Sequence, residues 1–140
     1  MKCVTRKIHF STQGNSEIRD LTDEVNNCLK GTNLSAGFVN LFVPGATAGL
    51  TTMEYEPGLV DDFQQTLQRI APEEAGYRHN ITHKDRNAHS HIRASLIGPS
   101  LSIPFENARL QLGKWQQIVF IDFDNRSRKR ELILQITGAR

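Results

Sequence analysis

Two rhythms of hydrophobic and polar residues run along this chain, and the switches between them mark out its elements. From Cys3 to Ser11 apolar and polar residues alternate loosely, with β-branched residues among them, which predicts a strand. Ile18, Leu21, Val25, Cys28 and Leu29 then fall at helical spacing. Ser16 is placed to cap that helix, Glu17 to sit in its first turn, and Gly31 to lie just past its end. Gly37 to Val43 is almost continuously apolar, as expected of a strand covered on both faces. Pro44-Gly45 breaks it, and Ala46 to Met53 is a second, threonine-rich extended stretch. A second helix is predicted from Pro57, with Leu59, Val60, Phe63, Leu67 and Ile70 facing inward and Ala71-Pro72 ending it.

Strand signals dominate the remainder. Ile92 to Ile97 and Leu101 to Phe105 flank a turn at Gly98-Pro99-Ser100. Trp115 to Phe123 and Arg130 to Thr137 flank a turn at Asp124-Asn125-Arg126-Ser127 and read together as a hairpin. The order predicts an α+β fold, an antiparallel β-sandwich-like sheet with two helices, in a single domain over residues 1–140.

Composition narrows the function classes. At 140 residues, 38% hydrophobic and 23% charged, the chain suits one soluble globular domain. A net charge of +2 argues against nucleic acid and against an anionic membrane surface as partners. Cys3 and Cys28 lack the paired spacing of a disulfide framework or a zinc knuckle. Met1 to Lys7 lacks an apolar h-region, and no run approaches the ~18 apolar residues of a membrane span, so a cytoplasmic protein is expected.

Candidate chemistry concentrates in one segment. His79, His83, His89 and His91 are four of the five histidines, and imidazole is the side chain that most readily binds a metal or moves a proton near neutral pH. On a strand, the i, i+2 spacing of His89 and His91 places both rings on one face. With His79 arriving from the preceding loop, these three form a candidate site for a divalent metal, zinc or magnesium, and His83 either joins them or faces solvent. Arg93, two residues after His91, is the candidate phosphate ligand, because a guanidinium fork matches phosphate oxygens. Arg126, Arg128, Lys129 and Arg130 read as a solvated hairpin tip. Glu54, just before the second helix, either complements the helix N-terminus or faces a cation. Thr47 lies in the threonine-rich stretch, and Gln116 is a polar residue in an otherwise apolar strand, placed to face a pocket.

The segments Phe42-Val43-Pro44-Gly45-Ala46-Thr47-Ala48, Thr52-Met53-Glu54, Tyr77-Arg78-His79, Asn87-Ala88-His89-Ser90-His91-Ile92, Leu96-Ile97-Gly98-Pro99-Ser100, Ile103-Pro104 and Leu110-Gln111-Leu112-Gly113-Lys114-Trp115-Gln116 occur in an order that resembles the YjbQ-like family, over about residues 5–138. Members of that family carry the label secondary thiamine-phosphate synthase. The resemblance implies a homotrimer whose sheets surround a threefold axis. It also implies an enzyme that joins a pyrimidine pyrophosphate to a thiazole phosphate and releases pyrophosphate. In many relatives the site holds three histidines, the first opening an HTxA-type motif. His79, His91 and Glu54 match the family pattern; in an enzyme of this type these three are the expected catalytic residues, and Thr47, Arg93 and Gln116 are the expected substrate ligands. Gly45 stands where the first histidine is expected. His89 is the expected replacement among the metal ligands, with His83 as the alternative. The other reading is a non-catalytic homotrimer that binds a metal or a phosphorylated small ligand.

Overall fold

Strand β7 (Gln117–Asp122) has four consecutive apolar residues, Ile118 to Ile121, and all four are completely buried. The computed structural model, which describes residues 1–140, shows how one strand buries both of its faces. Ile118 and Phe120 point into one apolar cluster, while Val119 and Ile121 point into another. Side chains alternate across a strand, so a continuous apolar run needs cover above and below.

β7 is the middle strand of a three-stranded antiparallel sheet, between β2 (Glu17–Asp20) and β4 (Ala48–Met53). One face of this sheet packs on a five-stranded antiparallel sheet. Its order is β1 (Lys2–Thr12), β8 (Arg128–Ala139), β3 (Ala36–Phe42), β5 (Ser100–Glu106) and β6 (Arg109–Leu110). Val39, Leu41, Leu132, Leu134 and Ile136 fill the space between the sheets, and helix α1 (Thr22–Lys30) closes it with Val25 and Leu29. The second cluster joins the opposite face of β7 to α2 (Pro57–Ile70) through Leu67 and to α4 (Ala88–Ile97) through Ala94. A short helix, α3 (Arg78–Thr82), precedes α4. The result is the expected α+β domain with sandwich-like antiparallel sheets, carrying four helices rather than two. No helix is long and apolar enough to cross a membrane.

Helix α2 follows its boundary signals closely, but of its expected inward residues Leu59 and Ile70 are 37% and 60% exposed. It starts at Pro57, and the Glu56 carboxylate accepts the free N–H groups of Gly58 and Leu59 at 2.9 and 2.8 Å. Those two bonds hold the Glu56 carboxyl below its usual pKa. Helix α1 starts later than expected. Glu17–Asp20 pairs with β7, and Asp20 Oδ1 accepts both Thr22 N and Thr22 Oγ1, at 2.9 and 2.6 Å. Ser16 therefore caps nothing, and Ile18 belongs to the cluster under α2 and α4.

Three further expectations are corrected. β3 is covered on one face only: Val39 and Leu41 are buried, whereas Phe38 and Phe42 are 44% and 43% exposed on the outside of the large sheet. β7 and β8 are not a hairpin, because the turn after Asp122 carries the chain from the small sheet to the large one. The segment Ile92 to Ile97, expected as a strand, is the body of α4. Its first turn is held by Asn80 Oδ1, which accepts Ala88 N at 3.1 Å, and it ends where Gly98 N donates to Ala94 O at 2.8 Å.

The close seat of α4 on β4 depends on Gly49. A Cβ there meets Ile97 Cγ2 at 3.0 Å and Gly98 O at 3.1 Å, so a side chain forces the helix away from the sheet. This contact fixes α4 above the start of β4, where the histidines converge.

Candidate functional site

A helical α4 redistributes the histidines. Residues two apart on a helix point about 200° away from each other, not to one side. His89 turns inward and is only 2% exposed, while His91 stays half-buried at the surface. His91 lines a hollow of about 240 Å³ together with Gly45, Ala46, Ser95 and Pro99. The expectation that His89 fills the place left by Gly45 is therefore corrected, since its ring lies on the other side of the helix.

His79 sits in the first turn of α3 and His83 is the residue just past its end, with its N–H donating to His79 O at 2.9 Å. Their rings stack at 4.4 Å with planes 5° apart, and the His79 ring lies 4.9 Å from that of His91. Three imidazoles thus gather beside the hollow: His79, His83 and His91. His79 Nδ1 is buried without a hydrogen-bond partner, and His83 Nδ1 lies 2.9 Å from Thr82 Oγ1.

This arrangement does not fit a zinc or magnesium ion held by one protomer. A ligating imidazole offers a lone pair in its ring plane, at about 2.0–2.1 Å for zinc. The nearly parallel planes of His79 and His83 share no such point, and no three His, Cys, Asp or Glu side chains converge on one. Glu54 does not complete the set. It follows β4, about 20 Å along the strand from Ala48 beside the hollow, at ~3.3 Å per residue.

Gln116 also lies at that far end. It donates to Thr52 Oγ1 at 2.9 Å and accepts Gly113 N at 3.0 Å. Trp115, just before β7, is 65% exposed, with Lys114 Nζ 5.0 Å from its ring.

Arg93 is a structural clamp rather than a phosphate ligand. It is 5% exposed, and its guanidinium donates to Ala71 O, Ser16 Oγ and Gln68 Oε1 at 2.9, 2.9 and 2.8 Å. These bonds tie α4 to the end of α2 and to the turn before β2. The helix places Arg93 on a buried face, two residues from His91, for the same geometric reason that separates His89 from it.

The arginine beside the histidine hollow is Arg130. Asp122 and Asp124, both completely buried, meet Arg130 and Arg128 where β7 gives way to β8. Arg130 grips Asp122 with two nitrogens at 2.7 and 2.8 Å, and Thr12 Oγ1 donates to the same carboxylate at 2.5 Å. Arg128 holds Asp124 at 2.6 Å. Thr47 belongs to this network, accepting Arg130 Nη2 at 2.9 Å and donating to Asp124 Oδ2 at 3.3 Å. Burial acts to raise the Asp124 pKa, but the Arg128 hydrogen bond, the Asn125 N–H and the Asn87 amide outweigh it, so the carboxyl sits below its usual range. The sequence did carry a signal for this network. Asp122 and Asp124, like Arg128 and Arg130, are spaced i, i+2 at the ends of consecutive strands, so each pair shares a face.

The largest hollow lies elsewhere. About 510 Å³ in size and open, it runs along β1 and β8 past His9, Lys129, Arg130 and Glu131. His9 and Lys7 both pair with Glu131 there, at 3.2 and 3.5 Å. These solvent-facing side chains have partners already, whereas the smaller hollow is lined by His91, whose ring meets that of His79.

His89 gives a direct test of this description. Burial, reinforced by the positive charge of Arg93, holds its pKa below the ordinary 6.5, against weaker opposing effects of Glu73, Asp124 and Glu74. The unfolded chain therefore takes up a proton at His89 before the folded chain does. The contribution is intact above pH 6.5 and is lost as pH falls from there toward the depressed folded value. Thermal unfolding between pH 7.5 and 5 is expected to show a smaller loss of Tm in His89→Gln than in the parent. Equal slopes contradict a buried neutral His89.

A two-sheet α+β domain with a hollow lined by His91 at the head of β4 defines the structural class. The family model described as UPF0047 protein YjbQ-like matches residues 6–139, and the chain belongs to that family. A UPF0047 protein of Archaeoglobus fulgidus is 33% identical over 91% of this chain and 97% of its own length. The UPF0047 protein YugU of Bacillus subtilis is 30% identical over 96% of this chain and all of its own. Among solved structures, a YbjQ-like protein of unknown function from Sulfolobus solfataricus superposes with a TM-score of 0.93 at 28% identity, covering 98% of both chains. A YjbQ/UPF0047 protein from Clostridium acetobutylicum gives 0.83 at 33% identity, covering 93% of this chain and 99% of its own.

Proposed function

We propose that this protein binds a phosphorylated small molecule in the hollow beside His91, and that His79 and His91 exchange protons with it. The observation that carries this reading is the meeting of the His79 and His91 rings, 4.9 Å apart, where His91 and Gly45 line one cavity. Paired imidazoles at a cavity of this kind suit general acid–base work or anion binding.

In its most specific form the reaction is the one the family resemblance suggests. A ring nitrogen of the thiazole phosphate bonds to the methylene carbon of the pyrimidine pyrophosphate. The carbon–oxygen bond to pyrophosphate breaks, and the electron pair leaves with that oxygen. Negative charge grows on the leaving group, which is where an imidazolium or guanidinium donor lowers the barrier. Glu54 and Gln116, at the far end of β4, serve this chemistry only across a subunit boundary. The test is pyrophosphate release from the two precursors by the purified protein. Release above background supports catalysis, and its absence leaves the non-catalytic binding reading. Gly45 favours that second reading, since it brings no side chain to the position where relatives place a histidine.

A homotrimer is part of the proposal. The outer face of the large sheet leaves Phe38 and Phe42 half-exposed, with Ile133 paired beside Phe42, and apolar patches of this kind mark association surfaces. Light scattering after size exclusion is expected to give three times the 15.8 kDa chain mass. A Phe38→Glu, Phe42→Glu variant is expected to run as a monomer. A monomeric parent protein contradicts the assembly.

A further inference from the structure

The Arg130 guanidinium has one arm left over. Nε and Nη2 hold both oxygens of Asp122, and Nη2 also donates to Thr47 Oγ1. Nη1 makes no hydrogen bond and is not sealed from solvent, although the side chain as a whole is only 9% exposed. Asp122 is completely buried, so the guanidinium cannot swing outward without abandoning its partner. Its free arm has a fixed aim. A Cβ built on Gly45 meets Nη1 at 3.3 Å and meets nothing else within 4 Å. Gly45 is also a wall of the His91 hollow.

An arginine donates through five N–H bonds and is rarely buried with an arm idle. Here two nitrogens are spent on fixing the group, and the third lies against Gly45, which walls the cavity that His91 also lines. A donor locked in advance loses little freedom when a ligand arrives. Charge does not blur the picture, because Asp122 and Asp124 are each matched by their own arginine. What the site offers an anion is a directed N–H pair against Gly45, at the edge of the hollow that His91 lines. We propose that Arg130 Nη1 docks a phosphate oxygen of the ligand, and that Gly45 is the residue that keeps this donor uncovered. The proposal rests on the phosphate reading of the His91 hollow given above. It also explains why glycine suits position 45, where φ is +119° and a side chain covers the guanidinium edge as well as straining the backbone.

The test is titration calorimetry with inorganic pyrophosphate on the parent protein, Arg130→Lys, Gly45→Ala and His91→Ala, each checked for a native thermal transition. Lysine keeps a cation against Asp122 but lacks the second arm, and alanine covers Nη1 while leaving Arg130 intact. Both variants are expected to bind pyrophosphate at least about tenfold more weakly, a loss easily resolved in Kd. If either variant does not fold, the Arg130 side-chain resonances of the ¹⁵N-arginine-labelled parent decide, and they are expected to move on addition of pyrophosphate. Unchanged affinity in Arg130→Lys and Gly45→Ala, or unmoved Arg130 resonances, overturns the docking role. If His91→Ala alone loses affinity, the histidine reading survives without it. If Arg130→Lys and Gly45→Ala lose affinity but His91→Ala does not, the docking role stands and the histidine reading falls. No binding by the parent overturns both.

Discussion

Asp122→Ala is expected to cost about 3–5 kcal/mol, the usual penalty for stranding one partner of a buried ion pair. Its carboxylate is wholly buried and accepts two Arg130 nitrogens, the Thr12 hydroxyl and the Asp124 N–H. Removing it leaves a charged guanidinium without a partner where β1, β7 and β8 meet. Domains of this size have ~5–15 kcal/mol of stability in all, so the variant stands at or below the threshold of folding. Urea unfolding checks the size of the loss. The attraction within such a pair largely offsets the cost of drying it, so removing both charges with apolar replacements should do less damage than the single change. An Asp122→Leu, Arg130→Met variant is thus expected to be more stable than Asp122→Ala. A single substitution costing under about 1 kcal/mol is in the range of an ordinary surface pair and contradicts this account of the network.

His91→Ala is expected to lower turnover by about 10²–10⁴-fold, the usual contribution of a positioned acid or base, with little change in stability. The residue is half-buried on α4 and makes no side-chain hydrogen bond, so its loss leaves no polar group stranded. Steady-state rates of pyrophosphate release, with thermal unfolding in parallel, separate the two effects. His89→Gln is the informative contrast. It sits two residues away but faces the interior, so it is expected to alter the pH dependence of stability while leaving turnover near that of the parent. If His89 carries the activity and His91 does not, the helical assignment of the site fails.

The parts of the fold legible in the sequence were those with large side chains and local punctuation. α2 has Pro57 at its start, Ala71-Pro72 at its end and Leu67 among its inward residues, and these signals hold, whereas Leu59 and Ile70 stand exposed. α4 lacks a helical signature in the sequence because it packs through small residues. Ala88, Ser90 and Ala94 are buried, while the large Ile92 and Leu96 are 39% and 60% exposed, which breaks the apolar stripe that reveals a helix. The difference carries through the site, because strand spacing joins His89 and Arg93 to His91 and helix spacing parts them. β3 misleads differently. An apolar run looks the same whether its second face meets another layer or stands open as Phe38 and Phe42 do. His79 and His91 were singled out through a family resemblance, and the fold brings their rings together. Arg130 was passed over because a basic run near a turn reads as solvated until the acids that bury it are placed.

The central claim is that His79 and His91 form one phosphate-handling pocket from which His89 is excluded. Two-dimensional NMR of the imidazole nitrogens during titration with inorganic pyrophosphate tests it most directly. The account predicts that the His79 and His91 ring signals move together and saturate, while those of His9 and His89 stay in place. Movement of His9 alone, which lines the open hollow along β1 and β8, or no movement of His91, contradicts it.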